Sequence, residues 1–295
     1  MKGVILAGGS GSRLEKLTSV VNKHLAPVGD VPMIEYPLAT LRQLEPSGII
    51  VVSGQEHLGT LVQYLTQEYS SLDFTYKVQK EAGGIAQALS LVKDVSRDFN
   101  GGKKLAVILG DNIYDADFSE AAGNFEYRED YGCMLFLKKV EDPERFGVAE
   151  IKNGKIVSLE EKPKKPRSDL AVTGLYFYDH TLFDKISALH PSPRGEYEIT
   201  DVNRAYIEEG KATFIVLDTH VFWSDAGTPE SRARATAYVQ TVPERFKIIS
   251  KKSKFHEEQG NHHKQKERII ELERQVENLL KPDTEGQEYR DGISS

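Results

Sequence analysis

The sequence is poor in cysteine and in long apolar runs. These two shortages argue against a fold held by disulfides and against a membrane-spanning protein. Its single cysteine, Cys133, cannot form a disulfide within the chain, which fits a reducing compartment. No stretch approaches the roughly 18 apolar residues of a membrane-spanning helix, and the first residues lack the apolar core of a secretory signal. We therefore expect a soluble, cytoplasmic protein with no membrane partner, in which Cys133 is a buried structural residue.

An excess of basic charge is also missing. The chain carries 38 Lys and Arg residues against 45 Asp and Glu residues, so its formal net charge is −7. Proteins that bind nucleic acid generally draw their affinity from Lys and Arg side chains that neutralise phosphates. We therefore expect no nucleic-acid partner. Small molecules and other protein chains are the expected partners, including copies of this chain in a homo-oligomer.

Strand-like and helical patterns alternate from the start of the chain. Short apolar runs at 3–7 and 48–53 are followed by helical patterns at 33–44 and 57–69. This order predicts an α/β, Rossmann-like fold of three layers with a mixed, mostly parallel central sheet. Further strand candidates lie at 73–78, 105–109, 132–138, 148–152, 155–160, 170–178 and 212–217.

Two local signals refine this outline. Asn153-Gly154 stands between two strand candidates and predicts a two-residue hairpin turn, hence a small antiparallel element within the sheet. Thr228 followed by Pro229 predicts a helix N-cap with proline at the first helical position, opening a helix that reaches about residue 240. The compact domain is expected to span 1–241.

The remaining residues, 242–295, form a charged C-terminal tail. Ile269, Leu272, Val276 and Leu279 follow a 3–4–3 spacing there, which suits a short helix at about 262–281. So short an apolar stripe is marginal alone. The tail is therefore either a helix that needs a partner or a mostly disordered segment.

A glycine-rich segment, residues 6–14, follows the first strand and reads Leu-Ala-Gly-Gly-Ser-Gly-Ser-Arg-Leu. Its glycines let backbone N–H groups approach a ligand, and Arg13 could bind a phosphate with two hydrogen bonds. No Gly-Lys-Ser/Thr closes the segment, so it is not a Walker A loop, and Leu14 stands where a dinucleotide fingerprint has its third glycine. It is interpreted as a triphosphate-binding loop, with a plain tight turn as the alternative.

The glycine-rich segment and the run TSVVNKHLAPVGDVPMIEYPL at 18–38 together resemble the signature of the sugar-1-phosphate nucleotidyltransferases, particularly the short-form glucose-1-phosphate thymidylyltransferases. The resemblance covers about residues 1–240 and leaves the tail outside. It implies an enzyme that condenses dTTP with glucose 1-phosphate to give dTDP-glucose and pyrophosphate. The implied substrates are thus a nucleoside triphosphate and a sugar 1-phosphate, with Mg²⁺ as cofactor.

The same resemblance implies a role for individual residues. Asp111, at the end of an apolar strand where an α/β sheet can hold a metal, and Asp225 are the implied Mg²⁺ ligands. Implied catalytic residues are Arg13, Lys23, Asp111 and Lys162. Implied nucleotide-binding residues are Leu6, Gly8, Gly9, Gly11, Ser12, Arg13, Gln79 and Gly84. Implied sugar-phosphate-binding residues, near the small antiparallel element, are Gly147, Glu161, Lys162, Thr173 and Tyr176.

Phe146 stands where many relatives have tyrosine, which places one side-chain contact in doubt. Three alternative functions also stay open. Gln79 favours a pyrimidine, yet an amide cannot report a 5-methyl group, so a uridylyl-, cytidylyl- or adenylyltransferase is the nearest rival. A regulatory subunit that binds a nucleotide-sugar without turnover is a second rival, and a nicotinamide dehydrogenase is a third.

Overall fold

The structure, a computed structural model, describes residues 1–8, 22–56, 58–96, 104–242 and 246. The expected sites at Gly9, Gly11, Ser12 and Arg13, and the expected helix at 262–281, lie outside the described residues. No helix in the part of the chain that is described is both long and apolar enough to cross a bilayer.

Four parallel strands form the centre of the sheet: β1 (Lys2–Ala7), β4 (Ile49–Gly54), β5 (Phe74–Gln79) and β6 (Leu105–Leu109). β1 lies between β4 and β6, and β5 flanks β4. β1, β4 and β6 are nearly continuous apolar runs and are buried along most of their length. Such runs suit a parallel sheet that is covered on both faces.

Five further strands complete the sheet. β11 (Leu170–Tyr178) runs antiparallel between β6 and β8 (Cys133–Lys139), and β12 (Ala212–Val216) pairs in parallel with β8. β9 (Gly147–Lys152) and β10 (Lys155–Glu161) form an antiparallel hairpin that joins β11. Within the described residues, the sheet thus has nine strands and is mixed but mostly parallel, as predicted.

The turn of this hairpin has the predicted chemistry. Asn153 and Gly154 adopt φ angles of 51° and 71°. A two-residue turn with positive φ at both positions matches the right-handed twist of the flanking strands. The predicted hairpin is confirmed.

Helices cover both faces of the sheet. Alternate residues of β1 belong to different cores: Val4 and Leu6 to one, Ile5 and Ala7 to the other. Three helices pack on the first core, α3 (Ile85–Ser90), α5 (Leu182–Ser187) and α6 (Ile199–Glu208). Three pack on the second core, α1 (Glu35–Gln43), α2 (Leu58–Glu68) and α4 (Ser119–Tyr127). The three-layer α/β prediction is confirmed.

Among the residues described, two short strand pairs lie outside the main sheet. β2 (Pro27–Val28) pairs with β3 (Val31–Pro32), and β7 (Ile113–Tyr114) pairs with β13 (Trp223–Ser224), both antiparallel. The sequence patterns did not predict either pair. Cys133 is fully buried, and its burial raises the pKa of the thiol well above its usual range, which fits the structural role expected of it.

The last described helix, α7 (Pro229–Thr241), begins as predicted. The Thr228 hydroxyl accepts a hydrogen bond of 3.1 Å from the Ser231 N–H, and the Ser231 hydroxyl accepts one of 3.1 Å from the Thr228 N–H. This reciprocal capping box satisfies backbone donors that the helix itself cannot satisfy.

We predict that Thr228→Ala lowers the free energy of unfolding by about 1 kcal/mol, because the helix loses its capping oxygen. Thr228→Ser should keep most of that stability. Chemical denaturation of both variants measures the difference, with Thr219→Ala, a change at an exposed threonine, as matched control. Equal stability of Thr228→Ala and the parent would contradict the role of the cap.

Candidate active site

A cavity of about 250 Å³ opens where several parallel strands end. It is lined by Leu6 and Gly8 from the end of β1 and by Gln79 from the end of β5. Gly84, just before α3, and Asp111, just after β6, also line it. Ligands of open α/β sheets bind at the carboxyl ends of the strands, and this cavity lies there. The structure thus brings together five of the residues expected at the site.

The Gln79 end of the cavity is held rigidly. The Gln79 Nε2 donates to Gln87 Oε1 at 2.6 Å and to the Gly84 carbonyl at 3.2 Å, which orients the amide. A Cβ on Gly8 would lie 2.5 Å from the Gln79 Oε1. A Cβ on Gly84, whose φ is +97°, would lie 2.6 Å from the Tyr197 carbonyl oxygen. Gly84 therefore requires glycine, whereas a side chain at Gly8 would displace the Gln79 amide.

Asp111, which lines the cavity, forms an ion pair with Lys23. The Lys23 Nζ lies 2.6 Å from the Asp111 Oδ2, and both side chains are largely buried. Burial opposes ionisation of Asp111, but the Lys23 ammonium outweighs it and holds the pKa of Asp111 below its usual range. Asp111 is thus an anion near neutral pH.

The pairing of β7 with β13 brings the two expected metal ligands together. Ile113 lies opposite Ser224 in this antiparallel pair, so Asp111, just before β7, and Asp225, just after β13, emerge at the same end. A Cβ on Gly227 would lie 3.2 Å from Asp111 Oδ2 and 4.0 Å from Asp225 Oδ2. Two carboxylates that are 114 positions apart in the sequence therefore share one small region.

The oxygens of Asp225 differ in their surroundings. Its Oδ2 accepts a hydrogen bond of 3.1 Å from Arg145, whereas its Oδ1 is buried and has no hydrogen-bond partner among the described residues. A buried oxygen of this kind is costly unless a ligand satisfies it. The described residues hold no group of three or more His, Cys, Asp or Glu side chains that could bind a metal. One or two carboxylates completed by substrate phosphates and water are what Mg²⁺ typically takes.

The β9–β10 hairpin carries the residues expected to bind the sugar phosphate. Glu161 Oε2 accepts a hydrogen bond of 2.6 Å from the Thr200 hydroxyl. A Cβ on Gly147 would lie 3.3 Å from the Thr200 Oγ1 and 3.5 Å from the Glu161 Oε2. Lys162 has φ +43°, its N–H donates to the Phe146 carbonyl at 2.9 Å, and its Nζ lies 3.5 Å from Glu161 Oε1. Gly147, Glu161 and Lys162 therefore form one cluster.

Thr173 and Tyr176 lie deeper, on β11. The Thr173 hydroxyl is buried and donates to the Phe136 carbonyl at 2.9 Å, so its proton is used within the sheet. Tyr176 is buried too, and this burial together with the Glu161 carboxylate raises the pKa of its hydroxyl. Sugar contacts from these two residues stay a prediction.

Several residues that shape the site were given no role from the sequence, although some lie in segments that resemble the family. Asn112 Oδ1 accepts from Trp223 Nε1 at 2.7 Å and from the Gly174 N–H at 3.0 Å, and its Nδ2 donates to Asp111 Oδ1 at 3.0 Å. Arg194 donates to both oxygens of Glu198, at 2.8 and 2.9 Å. Asn112 adjoins an expected ligand and could have been found on that ground. The other residues of the site that were given no role from the sequence are His24, Arg145, Glu196 and Thr200.

His24 lines the cavity as a buried, neutral imidazole. Burial, assisted by the Lys23 ammonium, lowers its pKa to about 3. The His24 Nδ1 lies 3.0 Å from Asn22 Oδ1, which also accepts the His24 backbone N–H. Because an amide oxygen can only accept, the proton of the neutral ring resides on Nδ1. The Nε2 is then left as an acceptor.

The site and fold together define a class of enzyme. The family model described as nucleotidyl transferase matches residues 2–241, so the chain belongs to the nucleotidyltransferase family. It is 42% identical over 245 residues to a glucose-1-phosphate thymidylyltransferase of Xanthomonas campestris pv. campestris strain B100, covering 82% of this chain and 81% of that one. It is 41% identical to the glucose-1-phosphate thymidylyltransferase of Neisseria meningitidis serogroup A, covering 82% and 83% of the two chains.

Solved structures agree on the fold. A crystal structure of a candidate glucose-1-phosphate thymidylyltransferase from Bacillus anthracis, with sucrose bound, is 47% identical and superimposes with a TM-score of 0.75. The match covers 81% of this chain and 95% of that one. A UDP-glucose pyrophosphorylase with bound UDP-glucose, at 22% identity, gives a TM-score of 0.69 over 81% and 98% of the chains, which shows a shared fold only.

We predict that His24 weakens the protein in acid. Its ordinary pKa of 6.5 applies to the unfolded chain, while the folded protein holds it at about 3, so the unfolded state binds more protons below pH 6.5. Stability is then lost as the pH falls from about 6.5 toward 3. Between pH 7 and pH 5, His24→Gln should therefore lose about 2 kcal/mol less stability than the parent.

Urea denaturation at the two pH values measures this difference. His190→Gln, a change at an exposed histidine, is the matched control and should behave like the parent. The same pH dependence in His24→Gln and the parent would show that His24 is not buried in its neutral form.

Proposed function

We propose that the protein condenses dTTP with glucose 1-phosphate, forming dTDP-glucose and releasing pyrophosphate. The observation that carries this proposal is the convergence of Asp111 and Asp225, with Lys23 paired to Asp111, beside a cavity that ends at Gln79. The curated relatives named above are glucose-1-phosphate thymidylyltransferases, which supports this choice of substrates.

The reaction needs no protein nucleophile. An oxygen of the sugar phosphate attacks the α-phosphorus of the triphosphate, a new P–O bond forms, and the bond to the β-phosphate breaks as pyrophosphate leaves in line. The attacking oxygen is already an anion, so no general base is needed. The work of the enzyme is therefore to align two anions that repel each other and to neutralise their charge.

Two lysines support this proposal. Lys23 stands at the cavity beside Asp111, and Lys162 stands at the β9–β10 hairpin with Glu161, so a phosphate between them would be neutralised from two sides. Arg13 is proposed to bind the departing pyrophosphate, on the basis of the sequence resemblance. Glu161, oriented by Thr200, is proposed to bind sugar hydroxyls beside Gly147.

Asp111 and Asp225 would hold the Mg²⁺ ion. Both carboxylates are largely buried and close together, and Asp225 Oδ1, which has no hydrogen-bond partner among the described residues, fits a hard cation that prefers oxygen ligands. When bound, Mg²⁺ would withdraw negative charge from the phosphates during the transfer. The residues present therefore suit this cofactor.

The base is proposed to lie against Gln79 and Gly84. The fixed Gln79 amide and the Gly84 backbone, which both line the cavity, suit the hydrogen-bonding edge of a pyrimidine. The choice of thymine over uracil or cytosine is supported by the relatives rather than by this geometry. We further propose a cytoplasmic homo-oligomer whose catalytic domain spans 1–241.

Pyrophosphate release over a matrix of nucleoside triphosphates and sugar 1-phosphates tests the proposal. We expect the highest kcat/KM with dTTP and glucose 1-phosphate. A clear preference for UTP, CTP or ATP would reassign the base. No release with any pair, from a chain that binds dTDP-glucose, would favour a regulatory subunit without turnover.

We predict that Asp111→Asn and Asp225→Asn each lower Mg²⁺-dependent pyrophosphate release by about 10²-fold or more, with the double variant inactive. The physical reason is the loss of anionic oxygens that would hold the cation. Steady-state kinetics measure the effect, thermal melting checks the fold, and Asp184→Asn, a change at an exposed residue, is the control. Release at the parent rate by the double variant would overturn the metal assignment.

A further inference from the structure

Arg145 is held in place from three directions beside the site. Its Nη2 donates to Asp225 Oδ2 at 3.1 Å and its Nη1 donates to Asp142 Oδ2 at 2.6 Å. The guanidinium carbon also lies 5.2 Å from the centroid of the Phe146 ring, within the range of a cation–π contact. An arginine with so many fixed contacts restrains the group it touches, and that group is the Asp225 carboxylate.

A series of contacts also links Arg145 to the second carboxylate, that of Asp111. The Phe146 ring packs on the Trp223 ring, with centroids 5.1 Å apart. The Trp223 Nε1 donates to Asn112 Oδ1 at 2.7 Å, and Asn112 Nδ2 donates to Asp111 Oδ1 at 3.0 Å. Each carboxylate therefore has one oxygen held by a side chain of this outer layer, which comprises Asn112, Arg145, Phe146 and Trp223.

We propose that Arg145 is a positioning residue for the divalent cation. By holding Asp225 Oδ2, the carboxylate oxygen that lies near Gly227 together with Asp111 Oδ2, it fixes the orientation of the Asp225 carboxylate beside Asp111. Groups that orient a metal ligand from behind commonly change metal affinity by about 10- to 100-fold. This role rests on the proposed function, because it requires that Asp111 and Asp225 hold the cation.

A competing effect predicts the opposite result. The positive charge of Arg145 repels a divalent cation, so its removal could tighten cation binding. However, Asp142 lies 2.6 Å from the same guanidinium, and the Asp142–Arg145 pair carries no net charge. Asp142 thus offsets part of the repulsion, and we expect the loss of orientation to dominate.

Cation binding measured without turnover tests the proposal. Mn²⁺ alone is titrated into the full chain and free Mn²⁺ is followed by electron paramagnetic resonance. We expect Arg145→Ala to weaken Mn²⁺ binding by about 10-fold. We expect Arg145→Lys, which keeps the charge but offers a single ammonium in place of the fork, to fall between Arg145→Ala and the parent.

The chain offers a closely matched control in Arg128. This arginine donates to Asp130 at 3.0 and 2.6 Å, and its guanidinium carbon lies 4.7 Å from the centroid of the Tyr131 ring. It has the same kinds of partner as Arg145 but touches neither proposed metal ligand. Arg128→Ala should bind Mn²⁺ like the parent.

A second measurement separates positioning from a loss of folding. In pyrophosphate release, Arg145→Ala should raise the half-saturating Mg²⁺ concentration by a similar factor, while kcat at saturating Mg²⁺ changes only a few-fold. Mn²⁺ binding by Arg145→Ala that equals or exceeds the parent would overturn the proposal. If thermal melting shows that Arg145→Ala does not fold, Arg145→Lys carries the test, and parent-like Mn²⁺ binding by that variant overturns it.

Failure of the proposed function would look different. A parent chain that binds Mn²⁺ but releases no pyrophosphate with any substrate pair would refute the proposed reaction. The effect of Arg145 on Mn²⁺ binding would still be decided by the titration alone.

Discussion

The site depends on holding two like charges close together. Two unit charges about 5 Å apart near a protein surface repel each other by ~3 kcal/mol. The β7–β13 pair nevertheless delivers Asp111 and Asp225 to one region, and each carboxylate has its own cation, Lys23 for Asp111 and Arg145 for Asp225. The compensation is incomplete, because the Asp225 Oδ1 stays buried without a partner among the described residues. The remaining need for positive charge is what a divalent cation would meet.

The parallel sheet supplies the other half of the site. The ends of β1, β5 and β6 lie far apart in the sequence, yet the sheet brings them to one edge, where a cavity opens. Gly8 and Gly84 then let backbone atoms approach where a Cβ would collide. The cavity is thus built from the fold itself, whereas the two carboxylates, Asp111 and Asp225, are brought together by the pairing of β7 with β13.

Sequence patterns could predict what depends on neighbours along the chain. The apolar strands, the Asn153-Gly154 turn and the Thr228 cap are all set by local chemistry, and the structure confirms them. The outer layer is different, because the Asn112–Trp223 and Arg145–Asp225 contacts span 111 and 80 positions. No local period reports such pairs. The roles of individual residues likewise came from the family resemblance, since a glycine-rich segment alone indicates only a phosphate or a tight turn.

Burial favours the neutral form of both His24 and Asp111, yet only His24 becomes neutral. It drives the proton from His24, whose pKa falls to about 3, but it fails to neutralise Asp111, because Lys23 keeps the pKa of that carboxyl below its usual range. Neither group therefore changes its charge near neutral pH. Attack by an anionic phosphate oxygen needs no proton transfer from the protein, and it benefits from a fixed field more than from a titrating group. The proposed reaction thus needs a charge distribution that is set before the substrates arrive. The fixed protonation states of His24 and Asp111 meet that need.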